Sequence, residues 1–209
     1  MTSLFYANVT ALTDKVWKFV QMNSKRYQFW SLVETHVHDE LELRAWDKSA
    51  RAARLRLIHN PARRAGRATT EEGEVRSNEG GELFMSQFHL QAHRLYETTV
   101  ASQHLSEPDQ TSLDGFVATV VHMTGYSIII VTLYGLPSLG MRGANRRRFQ
   151  KIGGLLAAVR LPWILIGDFN MTPAVLSASQ FGQKLGGIVR TAEGGVGTCA
   201  QNKKENIPC

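Results

Sequence analysis

The 209-residue sequence is poor in cysteine and has no hydrophobic run of membrane-spanning length. Cys199 and Cys209 are its only cysteines, ten residues apart near the C-terminus and without the spacing of a metal-ligand pair. No disulfide framework is therefore indicated, and a reducing intracellular compartment, nuclear or cytoplasmic, is the expectation. The longest strongly apolar run, Ile128 to Tyr134, falls far short of the roughly 20 residues that cross a bilayer. Met1 to Lys15 carries Asn8, Thr10, Thr13 and Asp14 where a secretory signal needs unbroken apolar residues, and it lacks the Arg-rich character of a transit peptide. There is no internal repeat, low-complexity tract or interdomain linker, and no segment marks an obligate protein partner. A single domain over residues 1–209 is expected, with 43% hydrophobic residues to build its core.

Acidic residues are also in deficit. Lys and Arg number 24 against 18 Asp and Glu, a formal charge of +6, which favours a polyanionic partner such as nucleic acid. Arg51, Arg54, Arg56, Arg63, Arg64 and Arg67 lie in a stretch free of acidic residues, which reads as a solvated, solubilising surface. Arg142 with Arg146, Arg147 and Arg148 forms a second cluster at a helix start. Cations there oppose the helix dipole unless an anion binds, so Arg146, Arg147 and Arg148 are the candidate DNA contacts. His89 and His93 are four apart, but strand spacing separates such residues by about 13 Å, too far to share a small ion. Trp17, Trp30, Trp46 and Trp163 sit among apolar neighbours and are assigned to the core.

Periodicity predicts a strand over Leu4 to Val9, a helix over Ala11 to Met22 and a strand over Arg26 to Val33. A helix follows over Asp39 to Leu57, with Leu41, Leu43, Trp46 and Leu55 toward the core. Asn60 to Gly81 is glycine-rich and charged, and is expected to be a mobile loop. Glu82 to Leu90, Gly115 to Met123 and Tyr126 to Tyr134 read as strands, the last two joined by a hairpin turn at Thr124-Gly125. A helix over Gly143 to Val159 is stopped by Pro162. Trp163 to Ile166 reads as a strand buried on both faces, followed by a helix over Pro173 to Leu185 and a strand over Gly187 to Thr191. Mixed hairpins and crossovers point to an α/β layered fold with mixed sheet.

Four positions at the C-terminal ends of apolar strands carry candidate chemistry: Asn8, Glu34, Tyr134 and the pair Asp168 and Asn170. Strand ends are where α/β sheets gather their sites. Asp168 and Asn170 are two apart, so on an extended backbone they share one side; both residue types also favour ordinary strand-to-helix turns. A carboxylate such as Glu34 suits a hard cation, Mg²⁺ or alternatively Mn²⁺, which needs only one or two protein carboxylates. Asp168 can orient or deprotonate water, and Asn8, Asn170 and Tyr134 add uncharged hydrogen-bonding groups.

In order along the chain, Asn8-Val9-Thr10-Ala11-Leu12, Glu34-Thr35-His36, Gly80-Gly81, Tyr134-Gly135-Leu136-Pro137 and Gly167-Asp168-Phe169-Asn170 with Pro173 resemble the endonuclease/exonuclease/phosphatase superfamily. Its abasic-site and retrotransposon endonucleases are nearest in character. The resemblance extends to about Thr198, and Gly-Asp-Phe-Asn-x-x-Pro is its most specific element. It implies a DNase I-like four-layered αββα sandwich with mixed and antiparallel sheets. It further implies Mg²⁺ held by Glu34 with Asn8, a catalytic group of Asp168, Asn170 and Tyr134, and hydrolysis of phosphodiesters in DNA.

The resemblance is incomplete. The superfamily pattern ends in an Ile-Asp-Tyr strand and a Ser-Asp-His segment, and neither follows Gly197-Thr198 in this sequence. The expectation is a domain lacking its last strands. An inactive remnant that at most binds nucleic acid is the alternative to an enzyme, with an inositol or lipid phosphoesterase as a further alternative within the superfamily.

Overall fold

The computed structural model describes residues 2–64, 68–70, 73–75, 78–95 and 115–190. The chain forms two compact units, one of Met1–Tyr134 with Leu161–Gly167, the other of Gly135–Arg160 with the residues from Asp168 onward.

The first unit holds two four-stranded sheets. In one, β1 (Leu4–Asn8) runs parallel to β2 (Phe29–Val33), β8 (Glu82–Gln87) pairs antiparallel with β2, and β3 (Leu55–Asn60) pairs antiparallel with β8. Helices α1 (Asp14–Asn23) and α2 (Glu40–Ala52) pack on it. Each begins at a residue that satisfies free helix donors: Thr13 accepts from the Val16 N–H, and Asp39 from those of Leu41 and Glu42. The period of two divides β2 and β8 between two cores. Trp30, Leu32, Leu83 and Met85 meet Trp17, Val20 and Leu43 of the helices, whereas Phe29 and Phe84 turn the other way, toward Val117, Val121 and Ile130.

Those last residues belong to the second sheet, ordered β12-β11-β10-β9, with β9 at Gln91–Arg94, β10 at Phe116–Met123, β11 at Tyr126–Tyr134 and β12 at Trp163–Asp168. β10 and β11 form the hairpin expected at Thr124-Gly125. β12 runs parallel to β11, since Pro162 accepts from the Ile129 N–H and Gly167 abuts Leu133 four residues on. Helices, sheet and sheet thus give three layers within this unit. Between the sheets the hydroxyls of Ser31 and Thr132, both 0% exposed, share a hydrogen bond of 2.8 Å.

Several sequence expectations are corrected. The helix predicted to Leu57 ends at Ala52, and Leu55–Asn60 is β3. Arg54 adopts a left-handed conformation, φ 57°, that stops the helix, and six residues of pairing with β8 outweigh helix propensity. Leu41, expected toward the core, is 74% exposed. Within the stretch read as a loop, β4 (Arg63–Arg64) pairs with β7 (Asn78–Glu79) and β5 (Ala68–Thr70) with β6 (Gly73–Val75). Such ladders rest on backbone hydrogen bonds and need no apolar side chains. β12 is not covered on both faces: it lies at the end of its sheet among the described residues, and Ile164 is 41% exposed.

The second unit contains α3 (Gly143–Val159), whose Phe149 packs edge-on against Phe181 and beside Phe169. Its boundaries match the expected ones. The helix predicted over Pro173 to Leu185 is two short helices, α4 (Pro173–Ala178) and α5 (Phe181–Lys184), broken where Gln180 turns left-handed at φ 57°. Residues 187–190 form no strand, and Thr191, Gly197-Thr198 and both cysteines lie outside the described residues.

Candidate active site

Asn8 and Glu34 emerge at one end of the first sheet because β1 and β2 are parallel and in register, Asn8 opposite Val33. Beyond Val33 the chain leaves the pleat: Glu34 and His36 both take left-handed backbone, φ 57°. For residues that are not glycine this costs on the order of 1–3 kcal/mol each. The segment is held from the side. The N–H groups of Thr35 and His36 donate to the carbonyls of Gly81 and Gly80 at 3.1 Å, and the Thr35 carbonyl accepts from Leu12. The strained turn presents the half-buried Glu34 carboxylate to the hydroxyl of Tyr134, the last residue of β11, which donates to Glu34 Oε1. Tyr134 is only 7% exposed. Asn8 Oδ1 accepts from the Thr10 N–H at 3.1 Å, which fixes its side chain at the strand end.

Behind this edge lies a buried polar group with no counterpart in the sequence analysis. Glu82, 1% exposed, stands opposite Asn60 in the β3–β8 register and accepts from Asn60 Nδ2 at 2.7 Å. Arg94 reaches Asn60 Oδ1 and the His59 carbonyl at 3.4 and 3.3 Å. Recognising the pair requires β3 and its register, and neither is visible while Leu55–Asn60 is read as helix. Burial, reinforced by the Arg94 charge, holds the His59 imidazole below its ordinary pKa; Asp47 opposes this less strongly.

In the second unit, Asp168 is the last residue of β12 and is 7% exposed. Its Oδ1 accepts from the Asn170 N–H at 3.0 Å, and Asn170 is left-handed at φ 47°. The expectation that both side chains share one side of an extended backbone is thereby corrected: a tight turn, closed by the Asp168 carboxylate, joins them. Asn170 Nδ2 donates to the Gly135 carbonyl at 2.7 Å, and the Gly135 N–H donates to the Asp168 carbonyl at 2.7 Å. One amide hydrogen and the carbonyl oxygen of Asn170 remain for other work. Gly167, just before Asp168, is required sterically, since any Cβ there would overlap the Leu133 carbonyl.

Arg146 and Arg147 are exposed on the first turns of α3, which has no side-chain cap. Arg148, expected to reach a substrate with them, is 5% exposed and belongs to the buried side of the helix. His93 stacks on His122 across β9 and β10, centroids 5.1 Å apart, and His122 Nδ1 lies 2.8 Å from the Ser127 hydroxyl. Among the described residues no group of three or more His, Cys, Asp or Glu is placed to hold a metal ion. The donors at the β1 and β2 ends are instead oxygens, one carboxylate and one amide. That chemistry fits magnesium, which binds through few protein oxygens and retains water.

No protein-family model matches the sequence, and no curated protein matches it. Solved structures do. The human nocturnin catalytic domain is similar at a TM-score of 0.53 and 12% identity, over 88% of this chain and 70% of that one. The 2',3'-cyclic phosphatase ANGEL2 gives 0.51 and 11%, over 87% of this chain and 56% of that one. The endonuclease domain of TRAS1, a telomere-specific non-LTR retrotransposon, gives 0.50 and 11%, over 88% of this chain and 72% of that one. At these identities the likeness is one of fold. The chain shares with them a DNase I-like α/β fold, the fold its motifs implied.

Proposed function

We propose that this chain, with the fold of the endonuclease/exonuclease/phosphatase superfamily, hydrolyses phosphodiester bonds with magnesium and acts on DNA in the manner of an endonuclease. The observation that carries the proposal is the Glu34 turn. A carboxylate is held in strained backbone just past a strand end, bonded by Tyr134, with Asn8 standing opposite the preceding residue, Val33. Strain of this kind persists where the surrounding structure over-determines it, and it concentrates at functional sites.

Glu34 and Asn8 are the residues that would hold the cation. Bound there, magnesium supplies polarisation of a phosphoryl oxygen and offsets charge on the departing alkoxide. Asp168 is assigned to water, which its carboxylate orients and from which it accepts a proton. The free amide hydrogen of Asn170 is assigned to a non-bridging oxygen, where charge develops, and Tyr134, whose one hydroxyl hydrogen goes to Glu34, is assigned to orienting that carboxylate. Arg146 and Arg147, both exposed, are assigned to the polyanion; Arg148 is withdrawn from that role.

The test is cleavage of supercoiled plasmid and of an oligonucleotide carrying an abasic site, with Mg²⁺ or Mn²⁺. Cleavage abolished by EDTA and reduced roughly 10²- to 10⁴-fold in Asp168→Ala supports the assignment. Absence of cleavage with either metal sinks it, and binding without cleavage would leave only a nucleic-acid-binding role.

A further inference from the structure

We infer that Asn145, on the first turn of α3, is a positioning residue for the Asp168–Asn170 turn; the inference rests on the function proposed above. Asn145 is 0% exposed and its amide is used on both sides. Oδ1 accepts from the Leu136 N–H at 2.8 Å, while Nδ2 donates to the carbonyls of Leu136 and Gly140, each at 2.9 Å. One side chain therefore takes both backbone groups of Leu136 and closes the 136–140 segment into a loop. Only an amide of this length does so, since it offers an acceptor and two donors from one planar group.

The next residue back, Gly135, is bonded to the candidate catalytic turn at both of its own backbone groups. Its N–H goes to the Asp168 carbonyl and its carbonyl takes the Asn170 side chain, each at 2.7 Å. It also lies so close that a Cβ would overlap the Phe169 carbonyl. Asn145 fixes the Leu136 peptide, the Leu136 peptide fixes Gly135, and Gly135 fixes Asp168 and Asn170. Helix capping does not explain the residue: the capping position of α3 is Arg142, which makes no side-chain cap bond, and Asn145 spends its amide on the loop. A group held within a fraction of an ångström through such a support loses rate when the support is cut, even with every reacting group present.

Two variants separate positioning from mere stapling. Asn145→Ala removes all three bonds; Asn145→Asp is isosteric, keeps the acceptor for Leu136 and removes both donors. Hydrogen exchange of the purified chain reads the Gly135 and Asn170 amides, which report the bonds to Asp168 directly. Plasmid cleavage with Mg²⁺ reads kcat and KM. Expected are exchange at Gly135 and Asn170 at least tenfold faster in Asn145→Ala, with the amides of the α3 centre unchanged. Expected too are a kcat at least tenfold lower, KM within about twofold, and Asn145→Asp between Ala and wild type. Unchanged exchange at Gly135 and Asn170 in both variants overturns the inference. So does faster exchange spread evenly through α3 and α4 with kcat per folded molecule unchanged, which is the signature of a structural staple. Should Asn145→Ala not fold, the Asp variant decides by the same readings. If the wild-type chain cleaves nothing, the proposed function falls, whereas the exchange measurements still judge the support of the turn.

Discussion

The Tyr134 hydroxyl donates a hydrogen bond to Glu34 Oε1 although 100 residues separate the two in sequence. The bond joins the end of β11 in one sheet to the turn after β2 in the other, within one compact unit. It also leaves the second carboxylate oxygen of Glu34 with a defined direction. Tyr134→Phe deletes the donor and little else. Since hydrogen bonds to charged groups contribute about 1.5–3 kcal/mol and Glu34 is half-buried, a stability loss of about 1–2 kcal/mol is expected. Cleavage should fall by roughly 10²-fold as the Glu34 carboxylate loses its orientation. Denaturant unfolding and kinetics on the same preparation check both, and loss of stability without loss of rate would remove Tyr134 from the site.

Two glycines should respond in opposite directions. At Gly167 a Cβ would overlap the Leu133 backbone, and neither parallel strand can shift without breaking its ladder. Gly167→Ala is expected to cost at least about 3 kcal/mol, in the severe tail of single substitutions, or to prevent soluble folding. Gly154 lies inside α3, and a Cβ added to it would meet nothing within 4 Å. Gly154→Ala should stabilise by about 0.5–1 kcal/mol through the helix preference of alanine. Midpoints of chemical denaturation measure both.

The parts of the fold legible in the sequence are those with a clean period and a clear stop. β11 begins after Gly125 and ends before Gly135, and α3 ends before Pro162. The illegible parts turn on residues that adopt left-handed backbone without being glycine. Arg54 hides the start of β3, and Gln180 hides the break between α4 and α5; neither residue type announces such a conformation. The site shows the same division. The strand ends pointed to Asn8, Glu34, Tyr134, Asp168 and Asn170 as candidates. The turn that makes Asn170 a donor to Gly135, the Asn145 support and the Glu82–Asn60 pair depend on register and loop closure, which local pattern does not encode.

Ser31 and Thr132 are expected to behave as a pair. Their hydroxyls share a bond at complete burial between the two sheets. Ser31→Ala or Thr132→Val alone strands the partner hydroxyl and should cost about 1–3 kcal/mol. The double variant removes both polar groups and should cost less than the sum by at least about 1 kcal/mol. Additive losses in a double-mutant cycle would show that the two hydroxyls do not interact.

His59 links stability to pH. Burial and the nearby Arg94 charge disfavour its imidazolium in the folded chain, the influence of Asp47 being smaller and opposite. The unfolded chain has no such constraint and takes up a proton below about pH 6.5. In the interval between the lowered folded pKa and 6.5 the unfolded state therefore binds more protons, so the free energy of unfolding rises with pH there. The contribution is fully present above about pH 6.5 and is lost as pH falls below it, with a slope for one group of at most about 1.4 kcal/mol per pH unit. Carboxylates elsewhere also weaken the fold in acid, so the measurement is a difference. Stability of the wild type and of His59→Leu is followed from pH 8 to pH 5. The advantage of the wild type over the variant should be constant above pH 7 and shrink steadily below 6.5. An advantage that grows on acidification would mean that His59 gains a partner for its charged form, reversing the sign. Arg94→Gln should reduce the slope without abolishing it, because burial is the larger cause and persists when the charge is gone.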